Sequence, residues 1–268
     1  MIAATKRTYA DLLALAEAAT PIPWPASPPT TEAIEDDDDP YRLARLFLAT
    51  KYSHTDGPTL RLWREEWWAW RDGRYSVIRD RELKGQITLA IKEEFDRINI
   101  ENQIDQNSDT GATKKVTRSL VNNVFGCIEA MVTVSGHTEQ QRWLNRPDSD
   151  RSHWIAMKNG LLDINGIHRG HWNFKPLSPL WFSPVFLPYD CNAEAECPKW
   201  MNFVNYNLEG DQERIAILQE WFGYCLTNTL HETKFMILGG DGSNGKTVIL
   251  AALEAMLGGK ANCSFVAL

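Results

Sequence analysis

The segment Gly240-Asp241-Gly242-Ser243-Asn244-Gly245-Lys246-Thr247 constrains this chain more than any other. It fits the spacing G-x-x-x-x-G-K-[ST] at every fixed position. A phosphate chain is strongly negative, and a protein must hold it without burying an anion beside it. Glycines let the backbone turn so that successive N–H groups converge on the phosphate oxygens. Lys246 adds a positive charge for the β- and γ-phosphates, and Thr247 adds a hydroxyl for magnesium. Such a loop works between a buried strand and a helix whose N-terminus carries partial positive charge. The flanking residues predict that setting. Lys234-Phe235-Met236-Ile237-Leu238 reads as a short buried parallel strand. Val248 to Leu257 reads as a helix ended by Gly258-Gly259. A chance match is expected in about one chain of this length in a hundred. Gly240, Asp241, Gly242, Ser243, Asn244, Gly245, Lys246 and Thr247 are therefore assigned to ATP–Mg binding, with Lys246 catalytic and Thr247 the metal-side hydroxyl.

Only 21 residues follow Thr247. A P-loop ATPase also needs an acidic residue on a further strand and a group that positions the attacking water. Gly258 to Leu268 is too short to supply them, so the expectation is a truncated piece of a longer protein, inactive alone. The strand at 234–238 would then lack most of its sheet partners and be poorly protected.

Composition sets the class of the rest. Hydrophobic residues make up 43 % and charged residues 24 %, the balance of a globular protein with a real core. No stretch approaches the roughly 20 apolar residues of a membrane span, and Met1 to Arg7 lacks a signal-peptide segment. A cytoplasmic protein with no membrane partner is expected. The five cysteines, Cys127, Cys191, Cys197, Cys225 and Cys263, form no C-x-x-C pair and read as free thiols. A metal cluster of Cys191 and Cys197 with His168 and His171 matches no ligand spacing. The net charge of −7 is partly local, because removing the run Glu35-Asp36-Asp37-Asp38-Asp39 leaves the rest at −2. That run reads as a solvated linker.

Along the chain, residues 1–20 show a short amphipathic helix, and 21–40 a Pro-rich and acidic linker. Tyr41 to Thr50 is predicted helical. Leu60 to Trp70 and Tyr75 to Ile78 flank Asp72-Gly73 as a hairpin. A helix capped by Asp80 follows, with Leu83, Ile87, Ile91, Phe95 and Ile98 on one face, then a loop at 101–112 and a helix from about Thr113 to Met131. Residues 154–157 and 161–164 flank Lys158-Asn159-Gly160, Asn165-Gly166 supplies a further turn, and prolines at 176, 179, 184 and 188 make the next stretch extended and irregular, the whole a β-rich connector. Pro198 opens a short helix, and Asp211 caps a longer one to about Leu226. Trp200 and Trp221 are expected to pack between these two helices. These patterns give the fold class as an α+β domain over 41–190, followed over 191–268 by the truncated start of an α/β P-loop ATPase domain.

Several segments carry a resemblance. Gly240 to Thr247, with an asparagine before Gly-Lys, looks like the Walker A motif of superfamily III helicases. Asn159-Gly160-Leu161-Leu162-Asp163, Phe182-Ser183-Pro184, Leu187-Pro188-Tyr189-Asp190, Cys197-Pro198-Lys199-Trp200 and Gln219 to Leu226 are similar to the phage and plasmid primase–helicase family, with its poxvirus relatives. The resemblance implies a replication protein of a bacterial or phage-infected cell: an ATP-dependent helicase, hexameric when complete, acting on single-stranded or forked DNA. It also implies 41–190 as the α+β accessory domain and 191–268 as the truncated start of the AAA+-like ATPase domain. In that family the Walker B acid, sensor asparagine, arginine finger and DNA-contacting hairpin lie downstream, so no residue here is assigned those roles.

Plainer readings stand beside these. Trp63, Trp67, Trp68 and Trp70, with Arg61, Arg64, Arg71 and Arg74, could stack on single-stranded DNA. Glu65 and Glu66 in the same run favour a small core with the arginines solvated outside. Lys114, Lys115 and Arg118 are read as ordinary solvated cations. Two rival functions remain at the level of sequence. One is a non-enzymatic DNA-binding or loading module with an incomplete ATPase. The other is a different P-loop enzyme such as a kinase, although kinases usually begin at the P-loop strand.

Overall fold

A computed structural model describes residues 35–104, 113–147, 153–227, 234–240, 242 and 244–264. The helix expected within residues 1–20 and the Pro-rich stretch lie outside the described residues.

Helix α1 (Pro40–Lys51) starts where Asp39 accepts a hydrogen bond from the Arg42 amide at 2.9 Å, with proline in the first turn. Leu43, Ala44 and Phe47 face inward. The acidic run before it departs from a solvated linker. Glu35 pairs with Arg45, the Asp37 carbonyl accepts from Arg42 Nη1 at 3.0 Å, and Asp38 meets Lys114 Nζ at 3.0 Å. Cations of α1 and residue 114 offset the repulsion of adjacent carboxylates, and this anchors the run to the fold. Lys114 is thus already engaged by an acid.

A ribbon of β1 (Ser53–His54) and β2 (Gly57–Pro58) leads into an antiparallel meander of β3 (Leu60–Trp63), β4 (Glu66–Arg71) and β5 (Arg74–Ile78). Asp72 and Gly73 both have positive φ, as the predicted two-residue turn requires. The run expected as one segment from Leu60 to Trp70 instead folds at Arg64 and Glu65, with φ of 49° and 66°. Helix α2 (Asp80–Ile104) buries the five apolar residues whose spacing predicts it, Leu83, Ile87, Ile91, Phe95 and Ile98. Asp80 lies inside the helix rather than capping it. Helix α3 (Arg118–Val132) begins later than expected, where Thr117 Oγ1 accepts from the Leu120 amide at 3.2 Å.

Strand alternation then decides the two faces of the meander. Leu60, Trp67, Ala69 and Ile78 pack on α1, α2 and α3 in the main core. Trp63, Trp68 and Tyr75 face the other way and meet Phe182, at ring-centroid distances of 5.4, 6.0 and 4.9 Å. The tryptophans at 63, 67 and 68 are therefore core residues, as the plainer reading holds. Arg61 departs from it: this side chain turns inward and is only 6 % exposed, while Arg64 lies outside over the Trp63 ring.

The second β unit pairs β7 (Trp154–Met157), β8 (Gly160–Asp163) and β9 (Phe174–Lys175), beside a ribbon of β6 (Arg142–Trp143) and β10 (Trp181–Phe182). Gly160, with φ of 153°, admits no Cβ because the Lys175 carbonyl and the Phe174 ring lie against it. The turn expected at Asn165-Gly166 is a short helix, α4 (Ile164–His168), capped by Asp163.

Candidate functional site

Three helices carry the candidate site. Helix α5 (Pro198–Asn207) opens with proline in its first turn, and α6 (Gln212–Cys225) is capped by Asp211, which accepts from the amides of Glu213 and Arg214. Glu209 and Gly210, at φ of 56° and 71°, make the sharp connection between them. Helix α7 (Lys246–Met256) lies on this pair. Val204, Ile215, Leu218 and Ile249 form the buried centre, with Trp200, Phe203, Leu208, Phe222, Met236 and Leu238 around it. Trp200 stacks on Phe203 and Phe222 at 5.7 and 5.5 Å, whereas Trp221 meets Tyr224. The expected Trp200–Trp221 pair is therefore replaced by Trp200–Phe222, because the next residue on α6 is the one rotated inward.

The expected buried strand at Lys234–Leu238 forms no strand among the described residues. Its side chains still alternate as a strand's would. Met236 and Leu238 pack on the helical core, while Phe235 and Ile237 are 80 % and 77 % exposed. A parallel strand takes its hydrogen bonds from neighbours on both sides, and no described segment pairs with it.

The loop that follows is shaped by two glycines. Gly240 has φ of 138°, and a Cβ there would collide with the Asn244 side-chain amide. Gly245 has φ of 76° and is the N-cap of α7. A Cβ on Gly245 would stand 2.7 Å from Asn207 Oδ1 and 2.7 Å from Phe203 Cζ. The loop thus rests directly on the flank of α5. Lys246 Nζ donates to the Gly240 carbonyl at 2.9 Å and to Asn244 Oδ1 at 2.5 Å, so the ammonium bridges the two ends of the loop. Thr247 is exposed in the first turn of α7. Asp241 and Ser243 lie outside the described residues, whereas Gly240, Gly242, Asn244, Gly245, Lys246 and Thr247 come together at this helix start. Phe203 and Asn207 belong to the same surface, yet nothing in their local sequence signals it. They lie some forty residues upstream, and only helix packing brings them to the loop.

The other candidates resolve into ordinary roles. Burial pushes the Cys191, Cys225 and Cys263 thiols up, which disfavours thiolate chemistry. No metal-holding group of histidine, cysteine and carboxylate exists among the described residues. No helix among them is long and apolar enough to cross a membrane.

Fold and sequence together define an α+β protein of small antiparallel sheets wrapped by helices, with a helical layer that bears a glycine loop. Residues 47–206 match the family described as D5 N terminal like. That is more than half of the chain, and the chain belongs to this family, the N-terminal region of phage and plasmid primase–helicase proteins. The match ends within α5, ahead of the loop at 240–247. No curated protein matches the chain.

Proposed function

We propose that the chain is part of an ATP-dependent replicative DNA helicase of the primase-associated kind, and that Gly240 to Thr247 binds the phosphates of ATP–Mg. One observation carries this reading. Lys246, at the start of α7, folds its ammonium back across the loop to two neutral oxygens, the Gly240 carbonyl and Asn244 Oδ1. An ammonium held over the loop at a helix start is placed to donate to phosphate oxygens, which as charged acceptors form strong hydrogen bonds with it. The helix N-terminus adds its partial positive charge there, and Thr247 supplies the hydroxyl for magnesium. In hydrolysis Lys246 would stabilise charge on the transferring γ-phosphoryl group.

Membership of the D5 N terminal like family supports the replicative setting and weighs against a small-molecule kinase. DNA as partner, single-stranded or forked, and a hexameric ring belong to this proposal. The test is calorimetric titration of ATP–Mg into the full chain and into Lys246→Ala. Wild-type chain is expected to bind with weak but saturable affinity, and the variant to lose at least about tenfold of it with its circular dichroism unchanged. Equal affinities would sink the phosphate-site assignment.

A further inference from the structure

A chain with a formal net charge of −7 has one long stretch free of acids. Between Asp163 and Asp190 there is no aspartate or glutamate, and Arg169 and Lys175 lie within it. Part of this stretch stands on the surface of the second β unit. Residues 169–174 are all exposed, Trp172 at 57 % and Phe174 at 41 %. The other tryptophans of the unit behave differently, since Trp143 pairs with Trp154 and Trp181 inside it. The two outer rings sit on a fixed backbone. The His171 amide donates to the Gly166 carbonyl at 2.9 Å, and the Asn173 carbonyl accepts from the Asp163 amide at 3.0 Å. This second bond continues the β8–β9 register, in which Leu162 faces Phe174, by one residue. Alternation along the strand then assigns Trp172 and Phe174 to one face. The Phe174 ring lies against Gly160, which brings it beside the exposed Lys158 of the β7–β8 turn. Arg169, the exposed C-cap of α4, stands at the other end of the pair.

From this arrangement we infer that Trp172 and Phe174 form a stacking platform for single-stranded nucleic acid, with Arg169 and Lys158 taking the flanking phosphates. The inference rests on DNA being a partner of this chain and adds the residues that touch it. Two exposed rings between two cations match a strand that offers both base faces to stack and phosphates to neutralise. A duplex keeps its base faces covered, and a purely apolar partner would leave the cations without a role. Every nucleobase has a π-face, so the platform is expected to tolerate any sequence.

The test is fluorescence anisotropy of a labelled oligothymidylate titrated with the full chain, alongside a blunt duplex of the same length. The double variant Trp172→Ala, Phe174→Ala is expected to bind the single strand at least about tenfold more weakly, with its circular dichroism unchanged. Arg169→Gln is expected to reduce the slope of log affinity against log salt by about 0.7. Trp172→Phe keeps a ring and is expected to keep the affinity while losing part of the tryptophan quenching that the oligonucleotide causes. That readout does not depend on the double variant folding, and unchanged quenching overturns the inference. Unchanged affinity in the double variant also overturns it, leaving the loop to a protein partner and DNA to another surface of the chain. So does a duplex bound as tightly as the single strand, because its bases are not free to stack. A wild-type chain that binds no oligonucleotide overturns this inference and DNA as a partner together.

Discussion

Glu94 lies on α2 at 8 % side-chain exposure and keeps its charge there because two guanidiniums reach it. Arg97 donates through Nε and Nη2 at 2.9 and 2.8 Å, and Arg42 donates from α1 at 2.5 Å. The Arg97 hydrogen bonds are the largest cause holding this carboxyl below its usual range; burial opposes them and Arg42 assists. Because the folded value is depressed, the stabilisation is fully present above the unfolded carboxylate value of about 4.3. It is lost as pH falls through the lower folded value. Glu94→Gln is expected to cost about 1–2 kcal/mol near neutral pH, the lower part of the range for charged hydrogen bonds, since Arg97 is half exposed. Urea melts of both proteins at pH 7 and pH 3 check this. A gap between them that is as wide at pH 3 as at pH 7 would contradict the charge argument.

At the scale of elements, apolar periodicity was a reliable guide wherever a helix packs one face on the core. Leu83, Ile87, Ile91, Phe95 and Ile98 needed only their spacing, and all five are buried. Turn chemistry was readable at Asp72-Gly73 and unreadable at Arg64-Glu65, whose left-handed backbone is imposed by strand pairing rather than invited by residue type. The segment Phe235–Leu238 illustrates the opposite limit, a strand-like pattern without strand partners. It packs Met236 and Leu238 inward but has no sheet hydrogen bonds among the described residues. Its amides are therefore expected to exchange far faster than those of β4, which is paired on both sides. Hydrogen exchange read by mass spectrometry tests this, and protection of 235–238 equal to that of β4 would refute it.

Over the whole molecule, α7 links the loop to the second β unit. Its N-terminus carries Lys246, and its C-terminal end meets the connector that follows β10. Tyr189 donates to the Met256 carbonyl, while Asn262 Nδ2 donates to the Leu257 carbonyl at 2.7 Å and the Phe186 carbonyl at 3.0 Å. Asn262→Ala removes two of these bonds at once and is expected to destabilise the chain by about 1–2 kcal/mol. Exchange should then rise along α7 while the β3–β5 meander is unaffected. Equal loosening of both regions would show that the helical layer and the meander unfold as one unit.

Sequence alone determined the helices with a one-sided apolar face, the Asp72-Gly73 turn, the glycine loop with its lysine, and the likeness to primase–helicase proteins. Each of these is a local pattern, set by spacing along the chain and by backbone preference. Tertiary structure alone decided that the acidic run docks on Arg45 and Lys114, that Arg61 turns inward, that Trp200 meets Phe222, and that α5 brings Phe203 and Asn207 to Gly245. Apart from Glu35–Arg45, which are close along the chain, those contacts join residues far apart in sequence. What selects them is the burial of area and the pairing of charge across the assembled core, and no window along the chain records either.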